Sequence, residues 1–363
     1  RLPYGKTKRW PHPLISECEF AFCGIVKPHE RRDEGPFGDH YGYYSLKHPY
    51  PVFNCKRVFR RKDAVWPATV VGKPRQEDFF IGDYLQELLS PIFPLVMPSV
   101  KDLWSYGETG FHSLAAAVVQ DRYPREAMAS AFRILGEGQL SLQKFLLLVN
   151  EPMDLKNFKA VWQHVLERVQ WETDLYVFGN LSMDTLDYAG PKVNRGSKGV
   201  ILGLGDQKRD LPTEFTGNPD QRIVDVQVYC PGCLCVRGPD FETDQEFADV
   251  VANDPAFQNW EFILLCDRPK QAVSSDINFL WTAFTRFEPA ADLHSAGKQM
   301  LRSHVSFKAP LVLDARIKPW YPKEVFASKE ISNKVEDRWK EYFPDGNVEM
   351  GSSDLGDLTP EKN

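Results

Sequence analysis

The sequence predicts an α/β protein, α+β overall, with a strand-rich front part. Residues 15–75 hold short β-branched and aromatic runs that are separated by Gly, Pro and charged clusters, a pattern typical of strands joined by turns. From about residue 100, apolar runs alternate with helical patterns, which indicates strand–helix–strand units with parallel strands and right-handed crossovers. The length of 363 residues suggests two or three domains.

The front part is predicted to contain three strands, in the runs ISECEFAFCGIV, YPVFNCKRVF and AVWPATVVG. A helical pattern begins around Asp83. The apolar side chains that follow share one helical face: Tyr84, Leu85, Leu88 and Leu89. Pro91 and Pro94 are predicted to end this helix, because proline removes a backbone donor.

In the second part, SLAAAVVQ, KFLLLVN and TDLYVFGN are predicted to be successive strands. A first helix is predicted to start at Pro124, and a second to cover LKNFKAVWQHVLERV with Asp154 as its N-cap. The runs FLLLVNEP and FILLCDRP resemble each other, which suggests an internal duplication. KEISNKVEDRWKEYF is predicted to be a terminal helix, followed by a disordered polar tail.

Composition narrows the classes of function. The net charge of −6 argues against a nucleic-acid-binding surface, and the apolar runs are shorter than the roughly 20 residues of a membrane span. No signal peptide is recognised at the start, and seven cysteines do not suggest a disulfide scaffold, so a cytoplasmic location is predicted. Because the first residue is not Met, we expect a piece of a longer protein.

The stretch EGPFGDHYGYY, residues 34–44, places the carboxyl groups of Glu34 and Asp39 around a glycine-bearing turn. Gly and Pro exclude a regular helix there and favour a tight turn between two strands. Such a turn can aim both acids into one cavity, where the neighbouring aromatic rings would raise a carboxyl pKa and suit a general acid. A hairpin turn whose acids face water is the alternative.

This stretch resembles the hallmark segment of the UbiD family of prenylated-FMN-dependent decarboxylases, an E-G-P-F-G-[DE] run. YPVF, VVGKPRQEDFFIG, MDTLDYAGPKVNRGSKG and LVLDARIKPW resemble further family segments, so the resemblance covers most of residues 15–345. It implies the end of a split β-barrel flavin-binding domain, a linker helix, a C-terminal α/β domain with a mostly parallel sheet, a terminal helix and a tail. The implied boundaries are 1–80, 81–100, 101–325, 326–345 and 346–363.

The resemblance also implies roles for individual residues. Asp39 would protonate the carbon that carbon dioxide leaves, and Glu34 would hydrogen-bond a catalytic arginine. His40 would contact the cofactor, and Lys198, in the GSK run, would lie near the flavin. Lys308, in SFKAPLVLDAR, precedes a similar motif, but Lys198 is preferred because DYAGP before it also matches.

The activity that the resemblance implies is non-oxidative decarboxylation of an unsaturated or aromatic carboxylic acid in quinone biosynthesis, with a lean towards the menaquinone subgroup. It implies prenylated FMN, Mn²⁺ and K⁺ as cofactors. A flavin prenyltransferase would supply the flavin, and the chain would form a homo-oligomer. The family's catalytic arginine and its metal ligands precede the acid motif, so they are expected before residue 1 and no metal ligand is predicted in this chain.

Two other functions stay open: a non-catalytic subunit that keeps the scaffold, and a hydrolase that uses Glu34 and Asp39 as an acid/base pair. His112 is interpreted as an ordinary loop residue, with a place in a substrate pocket as the alternative. The CxxCxC array at residues 230–235 has no second CxxC or histidine nearby, so we predict thiols in a strand rather than a zinc site.

Overall fold

The computed structural model describes residues 3–69, 71, 77–325 and 328–348. Its front part contains two two-stranded antiparallel sheets. In the first, β1 (Tyr4–Thr7) pairs with β2 (Trp10–Ile15), and in the second, β3 (Phe20–Glu34) pairs with β4 (His48–Arg60). The first two predicted front strands are therefore confirmed, and the EGPFGDHYGYY stretch connects them.

The third predicted front strand is wrong over its described part, because residues 64–69 form no strand. Pro67 interrupts this run and has no N–H to give to a sheet. Trp66 instead packs edge-on against the rings of Phe20 and Phe22, with centroid distances of 5.0 and 5.9 Å. Val70 and Gly72 lie outside the described residues.

The predicted linker helix is α1 (Glu77–Leu89), which extends further towards the N-terminus than expected. Pro91 and Pro94 follow it, as predicted, at the second position of a 3₁₀ turn (Ser90–Ile92) and of the short helix α2 (Phe93–Val96), respectively. The missing N–H of proline costs nothing at these positions.

The first large sheet has the strand order β5 (Val100–Ser105), β6 (Leu114–Val119), β7 (Phe145–Val149), β9 (Arg195–Gly203) and β8 (Leu175–Ser182). Its helices are α3 (Glu126–Leu135), α4 (Phe158–Arg168) and α5 (Trp171–Asp174). The three central strands run parallel, whereas β5 and β8 are antiparallel edges. The sheet is thus mixed: its centre is parallel, as expected, and an antiparallel strand is added at each edge.

The TDLYVFGN run does form a strand, β8, but it does not extend the parallel sheet beside β7 as expected. That place belongs to β9, which is buried from Gly196 onwards, whereas β8 is exposed from Gly179 onwards. A central parallel strand is covered on both faces and needs a continuous buried run, so β9 suits the centre and β8 the edge.

Two predicted helix starts shift. Helix α3 begins at Glu126, two residues after Pro124. The N-cap of α4 is Asn157 rather than Asp154, because the Asn157 side chain accepts a hydrogen bond from the Ala160 N–H at 3.2 Å. Asp154 accepts one from the Lys156 N–H in the preceding turn.

The second large sheet has the order β10 (Asp225–Cys230), β11 (Cys233–Arg237), β12 (Phe262–Leu265), β16 (Leu311–Asp314) and β13 (Leu293–His294). The remaining elements of this part are α6 (Phe247–Asn253), α7 (Pro269–Ala272), α8 (Asp276–Phe284), α9 (Pro289–Asp292), β14 (Gln299–Leu301) and β15 (His304–Ser306). Order and strand directions repeat those of the first sheet. The repeat is what an internal duplication would produce.

The two large sheets share one apolar core, which includes buried residues of α4 and α8. Trp162 of α4 meets Phe262 of β12 edge-on at 4.9 Å, and Phe158 lies 5.9 Å from Phe279 of α8. Separate clusters join α3 to the first sheet and α6 to the second. Cys230, Cys233 and Cys235 are buried thiols in the second sheet, as predicted.

Two helices lie near the C-terminus, α10 (Lys329–Asp337) and α11 (Trp339–Tyr342), within the predicted terminal helix. Residues 326–327 and most of the predicted tail, 349–363, lie outside the described residues.

The cap of α4 gives a test of the local structure. Replacing Asn157→Ala should lower the free energy of unfolding by about 1 kcal/mol, because an N–H of the first turn loses its acceptor. Asn157→Ser should keep most of the stability, since serine is also a good N-cap. Chemical denaturation measures both, and a larger loss in Asp154→Ala than in Asn157→Ala would contradict the observed cap.

Candidate functional site

Residues 35–45 form a loop, here called the acid loop, that folds around the Asp39 side chain. The Asp39 N–H donates to the Tyr43 carbonyl at 2.9 Å, and the N–H groups of Tyr41 and Tyr43 donate to Asp39 Oδ1 at 2.9 and 3.4 Å. Gly38 allows the backbone of residue 71 to approach closely, because a Cβ at Gly38 would lie 2.5 Å from the Val71 carbonyl oxygen. The side chain of Asp39 is therefore held on its Oδ1 side.

Asp39 is buried, with 2% of its surface exposed. Burial raises the pKa of its carboxyl to about 7, with repulsion from Asp184 and Asp187 adding to the rise and the Tyr43 and Tyr41 N–H groups opposing it. The second oxygen, Oδ2, is buried and has no hydrogen-bond partner in the described part of the chain. Asp39 can therefore hold a proton near neutral pH with one oxygen free for a ligand.

Three side chains beside Asp39 form a second group, His40, His112 and Asp184. Nδ1 of His112 lies 2.5 Å from Asp184 Oδ2, and Nε2 of His40 lies 3.9 Å from the same oxygen. The other oxygen of Asp184 accepts a hydrogen bond from the Leu186 N–H. Burial alone would raise the pKa of Asp184, but the hydrogen bonds from His112 and Leu186 lower it overall. Burial lowers the pKa of His40, which favours a neutral ring.

The donor atoms of this group lie within 4.8 Å of one another, and two histidines with one carboxylate are a composition found in metal sites. The contact between His112 and Asp184 is shorter than the roughly 3 Å that separates neighbouring ligands bound about 2.1 Å from one ion. We therefore describe His40, His112 and Asp184 as a triad in which His112 is hydrogen-bonded to Asp184 and His40 lies beside this pair. Its chemistry is that of an oriented imidazole pair.

Two buried lysines, Lys144 and Lys198, lie at two neighbouring strands of the first sheet. Lys144 precedes β7, and its Nζ contacts Asp187 Oδ2 at 2.7 Å. Lys198 of β9 donates to the Gln143 carbonyl at 2.7 Å. Burial lowers the pKa of Lys198 to about 8, with Lys144 lowering it further and Asp187 opposing the shift. Parallel pairing of Phe145 with Gly199 brings the two lysines together.

The second large sheet supports the acid loop from the other side. The indole N–H of Trp281, in α8, donates to the Tyr41 carbonyl at 2.8 Å, and Arg286 Nε donates to the Tyr43 hydroxyl at 2.9 Å. The segment after β16 pairs with the loop through Glu324, which bridges to Tyr43. The loop thus lies between the two halves of the C-terminal part.

The structure brings Asp39, His40 and Lys198 into one region, since Asp187 acts on the pKa of all three. Glu34 lies apart at the exposed end of β3, and its carboxylate has no hydrogen bond or ion pair with any described residue. The turn thus buries one acid and leaves the other at the surface, rather than aiming both into one cavity. Lys308 is exposed near Ser295, so the geometry favours Lys198.

Sequence reasoning did not assign Asp184, Asp187 or Lys144, and it preferred an ordinary loop role for His112. The structure pairs His112 with Asp184 Oδ2, and the choice between an ordinary loop role and a place in a substrate pocket stays a prediction. The available signal was the MDTLDYAGP run, which supplies both acids at a spacing of three residues. Nothing local marked Lys144, whose position depends on the pairing of β7 and β9.

Fold and site together define a class: a mixed α/β protein with a protonatable, buried carboxyl beside an imidazole pair. Comparison with known families agrees with the sequence resemblance. The family model described as the 3-octaprenyl-4-hydroxybenzoate carboxy-lyase Rift-related domain matches residues 1–74, and the corresponding C-terminal domain model matches residues 79–203. The chain belongs to the UbiD family.

Similar proteins include one from Chlamydia pneumoniae that is named as a subunit of 4-hydroxybenzoate decarboxylase. It is 47% identical over 346 residues, which cover 95% of this chain and 58% of the relative. A protein of Chlamydia trachomatis serovar D is 49% identical over 92% of this chain and 57% of its own length. The chain thus spans little more than half the length of these relatives.

Among solved structures, the closed form of the vanillic acid decarboxylase of Sedimentibacter hydroxybenzoicus matches with a TM-score of 0.51 and 22% identity. The match covers 69% of this chain and 50% of that chain, and it shows a shared fold. Within the described residues, every helix is too short or too polar to cross a bilayer.

The burial of Asp39 predicts a pH-dependent gain in stability for Asp39→Asn. Above pH 4 the unfolded carboxyl ionises while the folded one keeps its proton, so the wild type loses stability until the pH passes about 7. The variant avoids this loss and should gain up to about 4 kcal/mol at pH 8 and much less at pH 5, as measured by chemical denaturation. Glu34→Gln is the control, because an exposed acid should show little difference between the two pH values.

Proposed function

We propose that this chain is the acid-loop portion of a prenylated-FMN-dependent decarboxylase of aromatic or otherwise unsaturated carboxylic acids. The observation that carries the proposal is Asp39, buried in the family's acid motif with a pKa of about 7 and an unpartnered Oδ2 among the described residues. A general acid needs this state near neutral pH. The family membership supplies the reaction class.

The residues around Asp39 fit a bound flavin. Asp39 Oδ2 and His40 Nε2 are buried polar atoms without a hydrogen bond in the described part of the chain, so a ligand can supply their partners. Lys198 lies in the same region, and its burial lowers the pKa of its ammonium group to about 8. We assign His40 and Lys198 to cofactor binding. The bound prenylated FMN supplies an electron sink, which side chains cannot provide.

The chain's own residues then perform the proton transfer. The Tyr41 and Tyr43 N–H groups hold Asp39 Oδ1, which leaves Oδ2 to carry the proton. Loss of carbon dioxide breaks a C–C bond and leaves an electron pair on the substrate carbon, to which Asp39 delivers its proton. Asp184 orients His112, and we assign this imidazole to a contact with a polar group of the substrate. Glu34 is assigned to the network of an arginine outside this chain.

Names of similar proteins support an aromatic substrate. The Chlamydia pneumoniae relative is named for 4-hydroxybenzoate, and the structurally similar Sedimentibacter enzyme for vanillic acid. The family models are described by a polyprenylated hydroxybenzoate, which supports a place in quinone biosynthesis. The lean towards the menaquinone subgroup stays a prediction from the sequence.

Further parts of the proposal concern the whole protein. We assign Mn²⁺ and K⁺ to a site whose ligands precede residue 1, and a flavin prenyltransferase as the cofactor supplier in the cytoplasm. A homo-oligomer is supported by the apolar surface of α1 and α2, where Phe80, Tyr84 and Leu88 of α1 and Leu95 of α2 are largely exposed.

The alternatives have less support. A hydrolase would need Glu34 and Asp39 in one cavity, whereas Glu34 is exposed and only Asp39 is buried. A non-catalytic subunit would have no use for a carboxyl whose burial destabilises the fold at neutral pH. Loss of activity on changing Asp39 separates a catalytic from a scaffolding chain.

In the cofactor-loaded, full-length protein, Asp39→Asn should abolish carbon dioxide release because the amide cannot deliver a proton. Flavin content, read from absorbance, should stay near the wild-type value. In the wild type, the rate should fall as the pH rises above about 7, where Asp39 loses its proton. Full activity of Asp39→Asn would overturn the proposed function.

The choice between the two lysines predicts different flavin contents. Lys198→Met should lose bound flavin, because Lys198 is buried beside Asp187 in the site. Lys308→Met should keep it, because Lys308 is exposed and only its backbone is held, by Ser295. The flavin-to-protein ratio after gel filtration measures both. The reverse result would move the cofactor-site lysine to Lys308.

A further inference from the structure

Arg286, which follows α8, is a charged side chain that is only 2% exposed and still fully engaged. Its Nε donates to the Tyr43 hydroxyl at 2.9 Å, and another guanidinium nitrogen contacts Glu324 Oε1 at 3.0 Å. Asp267 Oδ2 lies 3.6 Å from the third nitrogen. Burying a guanidinium costs desolvation free energy unless each nitrogen has a partner. The partners of all three Arg286 nitrogens therefore indicate that this side chain has a structural role at its position.

Trp281, which lies in α8 five residues before Arg286, contacts the same loop. Its ring lies parallel to the Tyr43 ring with a centroid distance of 5.3 Å, and the guanidinium of Arg286 covers the Trp281 ring at 4.5 Å. The indole N–H donates to the Tyr41 carbonyl. The Tyr43 hydroxyl also lies 2.9 Å from Thr285 Oγ1. Residues in and just after α8 thus hold both the side chain of Tyr43 and the backbone of Tyr41.

Tyr41 and Tyr43 are also the residues whose N–H groups bind Asp39 Oδ1. The contacts therefore form a short chain, from Arg286 and Trp281 through the two tyrosines to Asp39. Every link in it is a hydrogen bond or a ring contact between buried groups. Movement of Tyr43 would release Oδ1 and let the carboxyl turn.

We propose that Arg286 and Trp281 are positioning residues that hold the acid loop so that Asp39 Oδ1 stays on the tyrosine N–H groups and Oδ2 faces the substrate. The inference rests on the proposed function and extends it to residues 225–325, which lie beyond the family-matched residues 1–74 and 79–203. The second sheet thereby has a part in catalysis without touching the substrate.

The pKa of Asp39 depends on its burial and on the ionisable groups around it, and both would change if the acid loop were less firmly held. Asp184 and Asp187 face it from the segment after β8, His40 lies beside it, and the Tyr188 hydroxyl lies near enough to feel its charge. Burial is the largest cause of the raised pKa of Asp39, so admission of water lowers this pKa. The alkaline limb of the activity profile then moves to lower pH.

The test compares Arg286→Lys with Arg316→Lys in the full-length, cofactor-loaded protein. Arg316 is a matched control, since it is also buried, at 1% exposure, and binds Asp314 and backbone carbonyls away from the acid loop. Arg286→Lys should lower kcat at least tenfold at unchanged KM and move the alkaline limb to lower pH. Arg316→Lys should leave kcat, KM and the pH profile unchanged, even where both variants lose stability.

Tyr43→Phe provides a second variant for the case that Arg286→Lys does not fold. It removes only the hydroxyl, since Arg286 keeps Glu324 and Thr285 keeps its bond to the Trp281 carbonyl. It should lower kcat in the same direction by a smaller factor. Tyr229→Phe is its control, because Tyr229 is a buried, stacked tyrosine whose hydroxyl binds Asp276 instead of the loop.

A readout that needs no flavin uses unfolding temperatures. The gain from Asp39→Asn at pH 8 should fall by at least half in the Arg286→Lys or Tyr43→Phe background and stay unchanged in the Arg316→Lys background. Kinetics and pH limbs like those of the wild type in Arg286→Lys and Tyr43→Phe would overturn the positioning role. If these two variants behave like the wild type and Asp39→Asn is inactive, only the positioning role is overturned. If Asp39→Asn is active as well, the proposed function is overturned too.

Discussion

Removal of the Asp39 carboxyl from water is the constraint around which the described site is arranged. An ionised carboxylate in this position would be costly, and repulsion from Asp184 and Asp187 adds to the cost. The loop donates two N–H groups to one oxygen of Asp39, and these hydrogen bonds offset only part of the rise in pKa that burial causes. The acid therefore keeps its proton up to about pH 7, where an ordinary aspartate is ionised.

The first sheet supplies the remaining charges through pairing that joins distant segments. Lys144 stands just before β7 and Lys198 lies in β9, and the parallel register of these strands brings them together. Asp187, from the loop between β8 and β9, neutralises part of their charge. The position of β9 beside β7 therefore matters for the site, because Lys198 of β9 would not lie next to Lys144 if β8 occupied that position.

The sequence predicts those parts of the fold and site that depend on local pattern. LAAAVV and FLLLV are fully apolar, so β6 and β7 are recognisable as buried strands, and Asp39 lies in a compact motif. The order of β8 and β9 is not predictable in this way. Whether a strand lies at the edge or in the centre of the sheet depends on pairing with strands that are distant in the sequence. The same holds for His112 and Asp184, which are 72 residues apart, and for Tyr43 and Arg286, which are 243 residues apart. Only tertiary packing identifies such partners.

The second sheet repeats the strand order of the first and shares a core with it, so the two sheets form one structural unit. Two similar sheets with α4 and α8 in one core place α8 at the boundary between the halves, which is where the acid loop lies. Arg286 could not be buried there without Glu324, Asp267 and the Tyr43 hydroxyl as partners, and the loop would lack its support without Arg286. Folding of the second sheet and ordering of the acid loop are therefore coupled. A chain shortened after the first sheet would keep the acid motif but lose the contacts that orient Asp39.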